Sequence, residues 1–96
     1  MPHYVVLANF TDQGIHAVKD TTKRAKMFRE LAQAKGVKIN NTFWTFGAYD
    51  VVLLMEAEND KAIASLLLKV ASLGNLKFQT LRGFDESEIE GIVSKL

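Results

Sequence analysis

Ninety-six residues, 48% hydrophobic and 24% charged, describe one folded domain over residues 1–96 rather than a disordered or fibrous chain. A net charge of +1 gives nucleic acid little to bind, and the lack of cysteine excludes disulfides, thiolate nucleophiles and zinc-thiolate sites. The longest uninterrupted apolar stretches, Val51 to Met55 and Leu66 to Leu68, are far too short to cross a bilayer.

The opening MPHYVVLANF has no basic leading region, and Asn9 interrupts its apolar run, so it is not expected to be a signal peptide. A cytoplasmic protein without nucleic-acid or membrane partners is expected. The cluster Lys19, Lys23, Arg24 and Lys26 is offset by Asp85, Glu86, Glu88 and Glu90 and reads as a solvated helix face.

Residues 3–10 are β-branched and aromatic-rich and predict a first strand. Thr11 or Asp12 can cap a short turn through Val18, and Asp20, Thr21 or Thr22 can cap a longer helix to about Ala34. Gly36 then suits the left-handed position that ends such a helix. Residues 37–46 and 50–57 predict two strands joined by a two-residue turn at Gly47-Ala48, where positive φ favours glycine. That register places Trp44 and Phe46 on the face of Val51, and Phe43 on the face of Val52.

After a cap at Glu58-Asn59-Asp60, a helix over 61–73 carries Ile63, Leu66, Leu67, Val70 and Leu73 along one stripe. Residues 76–84 predict the fourth strand. Asp85 with Glu88 forms a capping box, opening a last helix with Ile89, Ile92, Val93 and Leu96 along one side. The order β-α-β-β-α-β plus a terminal helix is α+β and ferredoxin-like, with both main helices on one side of a four-stranded antiparallel sheet.

Both parities of the central strands are apolar. Tyr4, Val6, Ala8 and Phe10 alternate with Val5 and Leu7, while Val51, Leu53 and Met55 alternate with Val52 and Leu54. Whichever face the helices cover, large apolar side chains remain on the other. Their burial is worth on the order of 10–20 kcal/mol as an upper bound, comparable with the whole stability of a typical domain, about 5–15 kcal/mol. A C-terminal helix of about 16 Å would cover only part of four strands. A homodimer or higher homo-oligomer, with sheets packed face to face, is therefore expected.

Candidate site residues are few. Arg24 falls within the apolar arc of the first long helix, where it either reaches water past the sheet edge or binds an anion near a helix–sheet pocket. Asp50 should sit opposite Thr45, pinning the turn; beside Tyr49 it could instead orient a ligand or act as a base. Trp44 suits the core or a pocket wall. The segment Asn9 to Gly14 offers backbone N–H groups and the Asn9 and Gln13 amides to a polar ligand, or satisfies itself as a turn.

His16 is either a partly exposed side chain or the best available proton carrier, and His3 is incidental beside the terminus. The two histidines are too far apart in sequence to make a metal motif by spacing. With no phosphate loop or nucleotide fingerprint either, neither metal nor cofactor is expected.

The strings Asn9 to Gly14, Lys19 with Arg24, Trp44-Thr45-Phe46-Gly47-Ala48-Tyr49-Asp50 and Gln79-Thr80-Leu81-Arg82 resemble the GYD-domain family, whose name matches Gly47, Tyr49 and Asp50. The likeness covers nearly the whole chain. The resemblance implies a dimeric α+β barrel, an architecture shared with cofactor-independent monooxygenases, isomerases and the ligand-binding domains of amino-acid-responsive regulators. It carries over no catalytic residue. The function expected is a homo-oligomeric binding domain for a small polar or anionic metabolite, contacted by Arg24, Trp44, Tyr49, Asp50, Asn9 and Gln13. The alternative is a cofactor-independent monooxygenase or isomerase in which His16 or Asp50 moves a proton.

Overall fold

Strand β1 (His3–Phe10) runs through the middle of an antiparallel sheet ordered β2-β3-β1-β4, with β2 at Lys38–Trp44, β3 at Val51–Glu56 and β4 at Leu76–Gly83. The computed structural model describes all of residues 1–96. Three further pieces link the strands: α1 (Asp12–His16) with a 3₁₀ turn at Val18–Asp20, α2 (Thr21–Ala34), and α3 (Asp60–Ala71); α4 (Glu86–Val93) follows β4. The ferredoxin-like α+β order is the one the apolar periodicities predict.

Register decides which parity is buried. Tyr4, Val6 and Ala8 pair with Met55, Leu53 and Val51 of β3 on one side and with Arg82, Thr80 and Phe78 of β4 on the other. Since side chains on directly paired residues share a face, this parity forms one surface. It meets Phe28 and Ala32 of α2 and Ile63, Leu66, Leu67 and Val70 of α3, all buried. Phe28 and Phe78 meet edge to face, 6.0 Å between centroids, the arrangement ring quadrupoles favour.

The local signals act as expected at most helix ends. Thr11 caps α1, accepting from the Gly14 N–H, and Asn59 caps α3, accepting from the Ala62 N–H. Asp85 and Glu88 make the reciprocal capping box of α4, satisfying two donors the first turn leaves free. Gly36 takes φ 71° just past α2, where a Cβ would be strained.

The side-chain cap expected at the start of α2 does not form, since Asp20 stands at its N-cap without a side-chain hydrogen bond, and two further expectations change. The β2–β3 ladder closes at Trp44 and Val51, so the strands end earlier than residues 46 and 50. The Thr45 N–H still donates to the Asp50 carbonyl at 2.8 Å; the two-residue register holds, but residues 46–49 leave the sheet. Phe46 consequently lies in the loop, fully exposed rather than on the Val51 face. The second change is a bulge at Asn40, which shifts the β2 register between Ile39 and Asn41 and lets the Asn40 amide donate to Glu56 at 2.9 Å. That bond holds the Glu56 carboxyl below its usual range, since it favours the ionised form.

The opposite sheet face is uncovered. Val5, Leu7, Val52, Leu54, Phe43 and Leu81 share it by parity and register, and Phe43, Leu54 and Leu81 are exposed. Helix α4 meets the body at its first turn, where Glu88 approaches Arg82 and His3. Its apolar residues Ile89, Ile92 and Val93 remain exposed. The molecule is thus a thin slab, 49 × 30 × 18 Å, with a Cα radius of gyration of 14.4 Å against about 13 Å for a compact 100-residue domain.

Candidate functional site

Between α2 and the helix-facing side of the sheet lies a cavity of about 330 Å³, at the lower end of the roughly 300–1,000 Å³ range of small-molecule sites. Its lining runs from the buried Phe28, Leu53 and Val70 through the half-buried Phe10, Thr21 and Leu76 to the exposed Trp44 and Met27. It joins Trp44 at the end of the edge strand β2 to the small Ala25 of α2. Trp44 spans the gap, its indole N–H donating to the Thr21 hydroxyl at 3.0 Å.

Arg24 and Trp44 line this cavity together. Arg24 is partly buried, but its guanidinium already serves the chain: it donates to the Ala17 carbonyl at 2.9 Å and toward the Gly14 carbonyl at 3.5 Å. Those carbonyls belong to the end of α1, where unsatisfied acceptors favour a cation. The side chain clamps α1 to α2 and also lines a helix–sheet pocket of the kind weighed from the sequence.

Asn9, Tyr49 and Asp50 lie away from the cavity and work as a group. The Asn9 amide donates to the Ala48 carbonyl at 2.9 Å, the Tyr49 hydroxyl to the Gln79 side-chain carbonyl at 3.0 Å, and the Phe10 N–H to the Asp50 carboxylate at 2.9 Å. The Thr45 hydroxyl donates to the Tyr49 carbonyl rather than to Asp50. The Gly47–Asp50 loop is therefore a strap that leaves β2, ties down the end of β1 and reaches across to β4.

Gln13 is structural in a similar way. Its amide donates to the Leu73 carbonyl and to the Asn75 side chain, both at 3.1 Å. Beside it Gly14 is buried against Asn75, where an added Cβ would stand 2.1 Å from the Asn75 carbonyl oxygen. His16 is exposed at the end of α1, outside the cavity lining. His3, incidental by sequence, approaches Glu56, Asp85 and Glu88 at 3.9, 3.4 and 3.7 Å on the far end of the sheet.

Arg29, exposed on α2, was not singled out by the sequence. It lines the cavity. The signal was present in its spacing: Arg29 is four residues beyond Ala25 and so shares that residue's side of the helix.

The family model described as GYD domain matches residues 4–93. A Thermus thermophilus protein named "Glutamine synthetase and cystathionine beta-lyase binding protein" is 31% identical over 90 residues, covering 93% of this chain and 95% of that one. Among solved structures, MtbAldR superposes with a TM-score of 0.67 at 10% identity over 88% of this chain, which spans 54% of MtbAldR. TTHA0845, also from Thermus thermophilus, gives 0.57 at 17% identity, covering 88% of this chain and 95% of that one. At these identities the structural likenesses establish the fold alone.

Proposed function

The chain belongs to the GYD domain family, and from that premise we propose that it is a binding module which holds a small molecule in the cavity beneath α2 and works as a homo-oligomer. The observation that carries the reading is the cavity itself. It is a concave, solvent-connected pocket of about 330 Å³ beside the core with mostly aliphatic and aromatic walls, the kind of surface that small molecules fill. Filling that space with apolar groups recovers dispersion contacts its walls lack.

The homo-oligomeric part is supported by the bare sheet face and by the exposed apolar residues of α4, surfaces a second copy would cover. No helix is long and apolar enough to cross a membrane, and the cysteine-free chain suits a cytoplasmic setting. Native mass spectrometry of freshly purified protein tests both halves together. A dimer or larger species carrying a co-purified small molecule is the expected result. A bare single subunit, with no thermal shift from any metabolite mixture, would overturn both halves.

A second reading is favoured by the Thermus relative, whose name states that it binds two enzymes. On that reading this chain docks onto an enzyme of its host. Co-sedimentation of the purified chain with the host's glutamine synthetase checks it, and independent sedimentation would remove that partner.

Catalysis by a cofactor-independent monooxygenase or isomerase route is the weaker alternative. It would need His16 or Asp50 at the substrate, and neither lines the cavity, while the Asp50 carboxylate already accepts from Phe10.

A further inference from the structure

We propose that the ligand of the cavity is a small amphipathic carboxylate, its hydrocarbon or aromatic body inside and its carboxylate on the Arg29 guanidinium. The inference rests on the reading of the cavity as a ligand site and names the chemical class that site would take.

The interior sets the body of the ligand. Its walls are aliphatic and aromatic, so a hydroxyl or amide placed deep inside would lose its water without gaining a partner. The 330 Å³ volume lies at the lower end of the roughly 300–1,000 Å³ range of small-molecule sites, which suits a short chain or a single ring.

Elimination sets the polar end. Of the polar residues that line the cavity, Thr21 accepts from Trp44, the Arg24 guanidinium donates to the Ala17 and Gly14 carbonyls, and the Asn75 side-chain oxygen accepts from Gln13, so each already has a partner within the chain. Thr42 and Arg29 remain. No acidic residue lines the cavity or the shallow groove on the other side of Arg29, and that groove adds Lys38. No carboxylate lies within ion-pair distance of Arg29. An unpaired guanidinium at an apolar mouth selects a single planar anion, which it can grip with two parallel N–H donors.

The only tryptophan of the chain is Trp44, on the cavity wall, so its fluorescence reports occupancy. The experiment titrates octanoate, 1-octanol and octylammonium, each below its aggregation threshold, into the wild-type chain and into Arg29→Gln and Arg29→Lys. Octanoate is expected to saturate the response and to bind more tightly than octanol, with octylammonium weakest. Arg29→Gln is expected to weaken octanoate about fivefold, as for a solvent-exposed ion pair, to leave octanol within about twofold, and to melt at the wild-type temperature. Arg29→Lys should recover part of the loss.

Equal octanoate and octanol affinities that ignore Arg29→Gln would overturn the carboxylate while leaving the cavity a ligand site. No saturable response to any of the three probes would overturn both. Persistence of the response in Ala25→Phe, which fills the cavity, would do the same provided that variant still melts cooperatively.

Discussion

The Asp50 carboxylate accepts a hydrogen bond from the Phe10 N–H at 2.9 Å, joining the end of the β2–β3 loop to the last residue of the central strand. Asp50 adds its own N–H to the Ala8 carbonyl, also at 2.9 Å. One residue thus fixes both a donor and an acceptor where β1 leaves the sheet. This position in the Gly47-Ala48-Tyr49-Asp50 string is architectural.

Asp50→Ala leaves the partly buried Phe10 N–H without its acceptor and is expected to cost about 2 kcal/mol. For a domain of this size that lowers Tm by about 8–16 °C. Tyr49→Phe removes a more exposed bond to Gln79 and should cost less, about 0.5–1 kcal/mol. Urea unfolding of both variants measures the order; equal, negligible losses would show that the strap is not needed.

Gly14→Ala forces a Cβ into the Asn75 carbonyl. Because the obstacle is backbone, relief requires α1 to move away from the α3–β4 connection, at about 3 kcal/mol. Gly91→Ala, where nothing stands within 4 Å, should raise the helicity of α4 and leave the core transition unmoved. Thermal melts with far-UV circular dichroism separate the two, and a neutral Gly14→Ala would refute the contact.

Tyr4 is buried, and its hydroxyl donates to the Asp60 carboxylate at 2.6 Å. Burial first, then the Asp60 hydrogen bond and charge, push its phenol above the ordinary value of 10.0. The folded state therefore holds this proton more tightly than the unfolded one. The resulting stabilisation is complete below pH 10 and is lost as pH rises through the higher folded value. Tyr4→Phe should cost about 1 kcal/mol at neutral pH and flatten stability against pH above 10. Parallel urea titrations at pH 8 and 11 check the sign; an unchanged difference between variant and wild type across that interval would refute it.

Leu54 and Leu81 are exposed on the bare sheet face, on strands flanking β1. If a second copy covers that face, Leu54→Lys with Leu81→Lys shifts the mass measured by multi-angle light scattering to that of one subunit, because two charges would be buried unpaired. Loss of the assembly should also expose apolar area to a reporter dye. An unchanged mass would place any interface elsewhere.

Much of the architecture is legible in the residues because it follows from local physics. Alternation in β1 and β3, the stripe on α3, the Asp85–Glu88 box and Gly36 each constrain backbone within a few positions, so the succession of elements along the chain and most helix ends could be read directly. The doubly apolar strands likewise announce a sheet with one face too many for a single layer of helices.

The site followed different rules. Arg24, Tyr49, Asp50 and Gln13 stand out in the sequence as polar residues without a local purpose, and folding supplies that purpose through partners 7, 30, 40 and 60 residues away. Arg29 is exposed, as a surface position of a helix would be, and only the packing of α2 on the sheet puts it at a cavity wall. Sequence alone determined which elements form, since those choices are made by near neighbours. Tertiary structure decided which polar groups are satisfied and which remain free, because a hydrogen-bond partner is chosen by distance in space rather than along the chain.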